Sequence, residues 1–202
     1  MLGPRPGVAD AADRLRSAGH TVRTPDFFGG RTFDDYPAAF QWVESMGGIP
    51  ELITRTKAVV ADLPADLVYA GFSLGGVSAE LLAATRPGAK GLVLLHAAIP
   101  VEEFDVPAWP AGVPVQVHFA TADPYREQPE LAAFESAVRA SGAPYELFNY
   151  PVGGHLFTDQ SLANEYDEQS AEQLFARVLT FLDRIDHGPQ DEVTAFRKQR
   201  CP

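Results

Sequence analysis

One serine in the chain stands between two glycines, directly after an apolar run and directly before a helical pattern. Residues 69–76 read YAGFSLGG, so Ser73 is the serine of a G-x-S-x-G pattern. In this pattern a strand turns sharply into a helix and presents the serine hydroxyl on a strained backbone. The pattern alone is short enough to arise by chance, and a turn serine without chemistry is the alternative. The strand before it and the helix after it favour a nucleophile.

A serine hydroxyl is a poor nucleophile near neutral pH, so it needs a base to remove its proton and a carboxylate to orient that base. Asp123 follows the apolar segment VPVQVHFA, and His155 follows YELFNYP. Taken singly, a loop aspartate is usually a turn former and a loop histidine is usually solvated. Both, however, follow predicted strand ends, where open parallel sheets place their active sites. The order serine, aspartate, histidine therefore predicts a catalytic triad of Ser73, Asp123 and His155.

Other histidines and carboxylates fit this chemistry less well. His96 closes the apolar run GLVLLHAA at the same edge and is a candidate for the pocket wall, whereas His118 falls inside a strand, where we expect a packing role. Asp159 is expected to be a surface charge or a cap, and Asp26 precedes the serine and breaks the chain order. No histidine and carboxylate cluster has metal-ligand spacing, and no loop matches a dinucleotide fingerprint. We therefore predict neither a metal nor a cofactor.

The elements that must position the candidate catalytic residues alternate between strand and helix along the chain. The helical patterns cover about 7–18, 37–46, 49–62, 75–86, 126–141 and a closing stripe of Leu174, Val178, Phe181 and Ile185. The strand patterns cover 20–27, 66–72, 90–98, 113–120 and 145–150. Continuous apolar runs such as KGLVLLHAA are typical of strands that are covered on both faces. This alternation predicts an α/β fold with a mostly parallel sheet and helices on both faces.

Composition narrows the class of protein. A chain of 202 residues with 46% hydrophobic side chains can bury one sizeable core, which predicts one domain over residues 1–186 and a flexible tail over 187–202. The net charge of -11 argues against nucleic acid and membrane surfaces as partners. Cys201 is the only cysteine, which fits a reducing cytoplasm. We expect a small-molecule substrate and a monomer or weak homodimer.

Three segments of the sequence resemble the dienelactone hydrolase family of α/β-hydrolases. They read RPGVADAADRLRSAGHTVRTPDFFGGRTFDD, ADLVYAGFSLGG and YPVGGHLFTD, and the resemblance covers residues 4 to about 185. It implies a compact α/β-hydrolase fold without a large lid, and it maps the family's nucleophile, acid and histidine onto the three residues chosen above. Ser73 replaces the cysteine of dienelactone hydrolase itself, and no arginine follows His155, so dienelactone specificity is not expected. Arg31 is a conceivable substitute for that arginine or simply a solvated side chain.

The resemblance also concerns the first residues. In this family a buried strand precedes the first helix, and the loop after that strand supplies one oxyanion amide. Here MLGPRPG matches the loop itself, which implies that the chain lacks the first central strand, between the 20–27 and 66–72 segments. We therefore expect the natural reading frame to begin roughly ten residues upstream. The backbone amides of Leu74 and Leu2 are the expected oxyanion hole.

The chemistry predicted from these residues is hydrolysis of an ester, lactone or thioester through an acyl-enzyme. The candidate pocket residues are Phe28, His96, Phe104 and Trp109, with the loop IPVEEFDVPAWPAG as the candidate specificity loop. Two alternatives stay open. An acyltransferase would use the same triad with an alcohol in place of water, and a weak or inactive α/β-hydrolase scaffold would bind a small ligand without turning it over.

Overall fold

The computed structural model describes residues 2–188, so residue 1 and most of the predicted tail, 189–202, lie outside the described residues. Helices and strands alternate over most of the described chain. The helices are α1 (Pro6–Ser17), α2 (Tyr36–Ser45), α3 (Gly48–Val59), α4 (Leu74–Thr85), α5 (Gln128–Ala140) and α6 (Glu168–His187). The strands are β1 (Val68–Phe72), β2 (Gly91–Leu95), β3 (Val115–Ala120) and β4 (Tyr145–Tyr150).

The four strands form one parallel sheet in the order β1-β2-β3-β4. Every residue of β2 and β3 is buried, as the continuous apolar runs predict for strands covered on both faces. Leu92 and Leu94 of β2 pack with residues of α4 and α5, whereas Val93 and Leu95 pack with residues of α6. Because the strands are parallel, all four carboxyl ends lie at the same edge of the sheet.

The helices begin and end where local chemistry favours it. Asp167 caps α6 by accepting a hydrogen bond from the Ser170 amide at 2.8 Å, and Asp35 caps α2 through the Ala38 amide. The predicted apolar stripe of α6 packs on the sheet, with Leu174, Val178 and Phe181 all buried. His187 was predicted to lie in the tail, but it is the last residue of this helix. None of the helices within residues 2–188 is long and apolar enough to cross a membrane.

The prediction of a strand at 20–27 is wrong, because these residues form no ladder with any other segment. A strand needs a hydrogen-bonded neighbour, and the segment has none: it is separated from β1 by a groove of about 590 Å³ that both of them line. Among the described residues β1 pairs with β2 alone. This arrangement agrees with the predicted lack of a strand at this position. The predicted specificity loop contains a short 3₁₀ helix, Val101–Phe104.

Candidate active site

The turn between β1 and α4 presents Ser73 at the carboxyl edge of the sheet. Its backbone has φ 51° and ψ −121°, and its amide donates a 2.8 Å hydrogen bond to the carbonyl of Leu95. A positive φ is unusual for a residue with a side chain and is costly unless the surroundings impose it. The strained backbone expected for this pattern is therefore present at the candidate nucleophile.

Glycines make the turn possible, although not the pair that the sequence pattern indicates. A Cβ at Gly71 would lie 2.1 Å from the carbonyl oxygen of Gly75, so only glycine fits there. A Cβ at Gly75 would meet nothing within 4 Å. A Cβ at Gly76, in contrast, would lie 2.9 Å from the Cβ of Ala97. The second glycine required for close packing is thus Gly76 rather than Gly75.

The structure brings the three predicted residues into one hydrogen-bonded chain. His155 Nε2 accepts from the Ser73 hydroxyl at 2.8 Å, and His155 Nδ1 donates to Asp123 Oδ2 at 2.8 Å. All three residues are buried, with 8%, 7% and 3% of the surface exposed for Ser73, Asp123 and His155. The other carboxylate oxygen of Asp123 accepts from the Tyr125 amide at 2.8 Å. This arrangement fixes the imidazole tautomer in which Nε2 can take a proton from the serine.

Two neighbouring strands carry the base and the acid to this position. Ala120 at the end of β3 lies opposite Tyr150 at the end of β4. The pairing continues past the strands, since the Thr121 amide donates to the carbonyl of Tyr150 and the Ala122 amide donates to that of Val152. The loops that contain Asp123 and His155 therefore leave the sheet side by side, which explains why residues 32 positions apart can meet.

Leu74 and Leu2, whose amides are the predicted oxyanion hole, follow Ser73 and pack beside Leu156 respectively. Leu74 is the first residue of α4, where a backbone N–H has no acceptor within the helix. Leu2 is 2% exposed and packs with Leu156, the neighbour of His155. The Leu2 carbonyl accepts from the Phe33 amide at 3.1 Å, which ties its loop to the rest of the molecule. Leu2 therefore lies beside the loop that carries His155, and its role as an oxyanion donor stays a prediction.

Residues 2–186 match the model of the dienelactone hydrolase family. The chain belongs to the dienelactone hydrolase family. Among solved structures, a dienelactone hydrolase-like promiscuous phosphotriesterase from metagenomic libraries superposes with a TM-score of 0.74 at 17% identity, over 91% of this chain and 82% of the other. A protein called m3DLH superposes with a TM-score of 0.75 at 22% identity, over 91% of this chain and 82% of the other.

MGS-M1, an α/β-hydrolase enzyme from a Medee basin deep-sea metagenome library, superposes with a TM-score of 0.51 at 17% identity, over 88% of this chain and 76% of the other. These similarities show that the family member described here has the α/β-hydrolase fold. None of the curated proteins matches the sequence. Within residues 2–188 no group of three histidine, cysteine, aspartate or glutamate side chains is arranged to hold a metal ion.

Two tyrosines that the sequence did not indicate surround His155 in this dienelactone hydrolase family member. The ring centroids of Tyr36 and Tyr125 lie 5.5 and 4.9 Å from that of the imidazole. The Tyr36 hydroxyl donates to Glu165, and burial together with this hydrogen bond raises the pKa of Tyr36. The same carboxylate accepts from the Leu156 amide at 2.7 Å. Glu165 therefore holds both a tyrosine and the chain beside His155; no sequence motif marks it.

A cavity of about 530 Å³ opens beside His155. The lining includes the tyrosines Tyr36 and Tyr125 and the acidic residues Glu165 and Asp167. None of the lining residues is a lysine or an arginine. Arg31, considered above as a partner for a substrate carboxylate, is not among them and is exposed to solvent. The cavity is therefore suited to neutral or cationic groups.

His96 contacts the triad without lining this cavity. It is 2% exposed with φ 65°, its ring lies 5.8 Å from that of His155, and neither ring nitrogen has a hydrogen-bond partner. Burial, with the neighbouring His155 and His118, lowers the pKa of His96 well below its ordinary value, so the ring is neutral. The predicted packing role of His118 is confirmed, because it bonds to Tyr150 and Gln116 inside the core.

The prediction that aromatic residues of the loop after β2 wall the pocket is wrong. Trp109 is 2% exposed, donates from Nε1 to the carbonyl of Val113 at 2.8 Å, and packs edge-on against Phe134 in the main core. Phe104 is buried at the end of the 3₁₀ helix and lines neither cavity. Phe28 stacks on Trp42 at 5.0 Å and lines the groove beside β1. Burial of apolar surface, rather than substrate contact, explains the first two aromatic residues.

Of the two roles predicted for Asp159, the surface charge is wrong, whereas a local capping role agrees with the 3.0 Å hydrogen bond that its Oδ1 accepts from the Ser161 amide. Asp159 is 5% exposed, and its Oδ2 accepts from Arg5 Nε at 3.2 Å. The position four residues after His155 thus carries a buried ion pair. No sequence motif indicates this ion pair, because the two partners are 154 residues apart.

Proposed function

We propose that this protein is a serine hydrolase that cleaves an ester, lactone or thioester of a small molecule through an acyl-enzyme. The observation that carries the proposal is the continuous hydrogen-bonded chain from Ser73 through His155 to Asp123, with both distances 2.8 Å. Membership of the dienelactone hydrolase family supports a hydrolase. The strained turn at Ser73 supports a nucleophile at the family's nucleophile position.

In the acylation step, the Ser73 hydroxyl loses its proton to His155 Nε2 as its oxygen attacks the substrate carbonyl carbon. The carbon–oxygen double bond becomes a single bond, and the negative charge moves to the carbonyl oxygen. The backbone amides of Leu74 and Leu2 donate to this oxyanion. Asp123 stabilises the imidazolium and keeps its ring oriented.

Collapse of the tetrahedral intermediate breaks the bond to the leaving group, which takes the proton from His155 Nε2 and departs as an alcohol or thiol. Water then enters, loses a proton to His155, and attacks the acyl-enzyme carbonyl. The second collapse releases the acid and returns the proton to Ser73. Each proton removed by His155 is returned within the same half of the cycle.

The cavity beside His155 supports a particular class of leaving group. His155 protonates the leaving group in this mechanism, and we place that group in the cavity that His155 lines together with Tyr36, Tyr125 and Glu165. Aromatic faces and carboxylates attract cations and tolerate neutral hydroxyl groups, whereas an anion would meet like charge without a basic partner. We therefore assign neutral or cationic alcohols, rather than carboxylates, to the leaving-group side of the substrate.

A fluorophosphonate probe tests the nucleophile directly. The wild type is expected to be labelled covalently, and Ser73→Ala is expected to lose all labelling because the reactive oxygen is gone. Ser78→Ala is the matched control: this buried serine of α4 accepts a hydrogen bond from Thr56 at 2.9 Å and lies outside the triad. Labelling of Ser73→Ala, or no labelling of a folded wild type, would contradict the proposal.

A second candidate is a scaffold that binds a ligand without turnover, and the open groove beside β1 favours it. A folded wild type that does not react with the probe would support this candidate.

The acyltransferase alternative concerns the acceptor of the acyl group. Product analysis in mixtures of water and a small alcohol separates it from hydrolysis, because a transferase forms the new ester in preference to the acid.

A further inference from the structure

The segment that carries His155 is long and irregular. It runs from the end of β4 to the start of α6, residues 151–167, and it contains turns but neither a strand nor a helix. Among the residues that the structure describes, none forms a backbone–backbone hydrogen bond with residues 153–155. Two of these three residues are glycines, which restrict the main chain least. Contacts other than a regular element must therefore keep the imidazole aligned.

The main-chain hydrogen bonds nearest to His155 are made at Val152 and at Leu156. The carbonyl of Val152 accepts from the Ala122 amide, which continues the pairing of β3 and β4. The Leu156 amide donates to Glu165 Oε2 at 2.7 Å. On the N-terminal side the sheet thus supplies the support, whereas on the C-terminal side the support comes from one carboxylate.

Glu165 also contacts the residue before the histidine. A Cβ at Gly154 would lie 2.3 Å from the carbonyl oxygen of Glu165 and 2.7 Å from its Cα, so only glycine permits this approach. The amide of Glu165 donates to the carbonyl of Leu162 at 2.8 Å, which fixes residue 165 within its own turn. Glu165 therefore touches the chain on both sides of His155.

The same carboxylate holds a side chain against the imidazole. The Tyr36 hydroxyl lies 2.9 and 3.1 Å from the two carboxylate oxygens of Glu165. The tyrosine ring packs edge-on against His155, with an interplanar angle of 74°. Tyr36 is the first residue of α2, and Asp35 caps that helix. The ring is therefore fixed by a helix at its Cα and by Glu165 at its hydroxyl.

We propose that Glu165 is a positioning residue for His155, the base of the proposed mechanism. Its contacts with both neighbours of His155 and with Tyr36 hold the imidazole within hydrogen-bonding distance of the Ser73 hydroxyl while protons move. A displacement of about 1 Å at a reacting group costs about 100-fold in rate. The inference rests on the proposed function, because only a base that transfers a proton needs this alignment.

Substitutions at position 165 test the proposal, with the rate of labelling by a fluorophosphonate as the readout. The leaving group of this probe is fluoride, which is too small to fill the cavity, so the rate reports the alignment of Ser73 with His155. In Glu165→Ala the Leu156 amide loses its acceptor. We expect labelling at saturating probe to slow about 100-fold, with little change in the apparent affinity for the probe.

Two further variants separate positioning from a general effect of charge. Glu165→Gln keeps an acceptor for the Leu156 amide and can donate to the Tyr36 hydroxyl oxygen, so we expect it to recover most of the labelling rate. Glu168→Ala removes the same charge at an exposed position and should label like the wild type. Wild-type labelling of a folded Glu165→Ala, or a glutamine variant as slow as the alanine variant, would overturn the proposal.

Hydrogen exchange supplies a readout that needs no activity. We expect the Leu156 amide to exchange at least ~10-fold faster in Glu165→Ala than in the wild type, because it loses its acceptor. The Thr121 amide, bonded to the carbonyl of Tyr150, is the internal reference for an intact fold. Unchanged exchange of the Leu156 amide would overturn the proposal even if labelling slowed.

The two readouts also keep this proposal apart from the proposed function. A folded wild type that is not labelled contradicts the hydrolase, whereas faster exchange of the Leu156 amide in Glu165→Ala still supports the support of the His155 segment by Glu165. If Glu165→Ala does not fold, Glu165→Asp takes its place with the same expectations, because its shorter side chain keeps the charge and withdraws the acceptor.

Discussion

Arg5 and Asp159 join the loop before α1 to the loop that carries His155. Arg5 Nε donates to Asp159 Oδ2 at 3.2 Å, and the two side chains are 13% and 7% exposed. The same guanidinium donates to the carbonyl of Phe33, whose amide donates to Leu2. The other oxygen of Asp159 accepts from Ser161. This network connects the loop of a proposed oxyanion amide, Leu2, with the loop that carries the proposed catalytic histidine, His155.

Asp159→Asn is expected to lower kcat about 100-fold with little change in KM. The substitution weakens the bond to Arg5, and a displacement of the Leu2 amide by about 1 Å affects the transition state more than the bound substrate. Loss of a charge-assisted hydrogen bond should also reduce stability by about 2 kcal/mol. Steady-state kinetics and urea unfolding measure both effects.

The exposed pair of Arg139 and Glu135 provides the control for this experiment. Arg139→Ala removes an ion pair at the surface, and we expect stability to change by less than about 1 kcal/mol and kcat to stay constant. If Asp159→Asn left kcat at the wild-type value, the proposed link between this ion pair and the oxyanion loop would be wrong.

Gly71→Ala and Gly75→Ala should behave oppositely although both glycines flank Ser73. The new Cβ at position 71 would lie 2.1 Å from a backbone oxygen, so the turn must distort and both labelling and folding should suffer. At position 75 the space is open and alanine favours a helix by about 1 kcal/mol. Thermal unfolding and probe labelling of the two variants check this; a harmful Gly75→Ala would contradict it.

Glu80 should make the protein less stable as the pH rises. It is fully buried in α4, one carboxyl oxygen has no partner, and burial raises the pKa of Glu80 well above 4.5. Because the folded protein retains this proton while the unfolded chain releases it, stability falls above pH 4.5, by up to about 1.4 kcal/mol per pH unit.

Glu80→Gln removes the group that titrates. The free energy of unfolding of this variant, relative to that of the wild type, should therefore increase between pH 5 and pH 8. Urea unfolding at both values measures this difference, and the comparison cancels the titration of other groups, including His96 and His118. Glu103→Gln, at an exposed position, is the control and should show no such trend. A constant difference between wild type and Glu80→Gln would show that Glu80 is already ionised in the fold.

Three acetate esters test the charge preference of the leaving-group cavity. The acetates of choline and of 3,3-dimethylbutanol have nearly the same shape and differ in charge, and the acetate of glycolate carries a carboxylate. We expect kcat/KM for the glycolate ester to be at least ~10-fold below the neutral ester, because Glu165 and Asp167 repel it. The choline ester should react at least as fast as the neutral one.

Added salt should reduce the differences in kcat/KM among the three esters, because it screens the charges. The acetyl group is common to all three esters, so acylation of Ser73 with the neutral ester reports the proposed activity separately from its charge preference. A glycolate ester that reacts fastest would contradict the assignment of the cavity, while leaving the serine hydrolase proposal intact.

The sequence predicted those features that depend on local pattern or on the edge rule of parallel sheets. Four strands and six helices lie where periodicity indicates them, and Ser73, Asp123 and His155 meet because strand ends share one edge. The segment 20–27 has strand-like composition, but a strand also needs a neighbour to pair with. Composition alone does not report whether that neighbour is present.

Features that depend on distant partners could not be predicted. From the sequence, Asp159 is interpreted as a surface charge, because its partner Arg5 is distant along the chain. Trp109 is likewise interpreted as a pocket residue, because its packing against Phe134 is not visible in the sequence. Tyr36 and Glu165 are 129 residues apart and carry no motif. In each case the residue type is compatible with several roles, and only the folded structure shows which partner it has.

Among the described residues β1 pairs with β2 alone, and its other edge also has a bearing on how these molecules behave together. An uncharged strand with free N–H and C=O groups is a template onto which another molecule can add a strand, which is the first step of sheet-mediated aggregation. The net charge of -11 keeps molecules apart at neutral pH. High salt or acid weakens this repulsion, so colloidal stability of the 202-residue chain is governed by ionic conditions as much as by its fold.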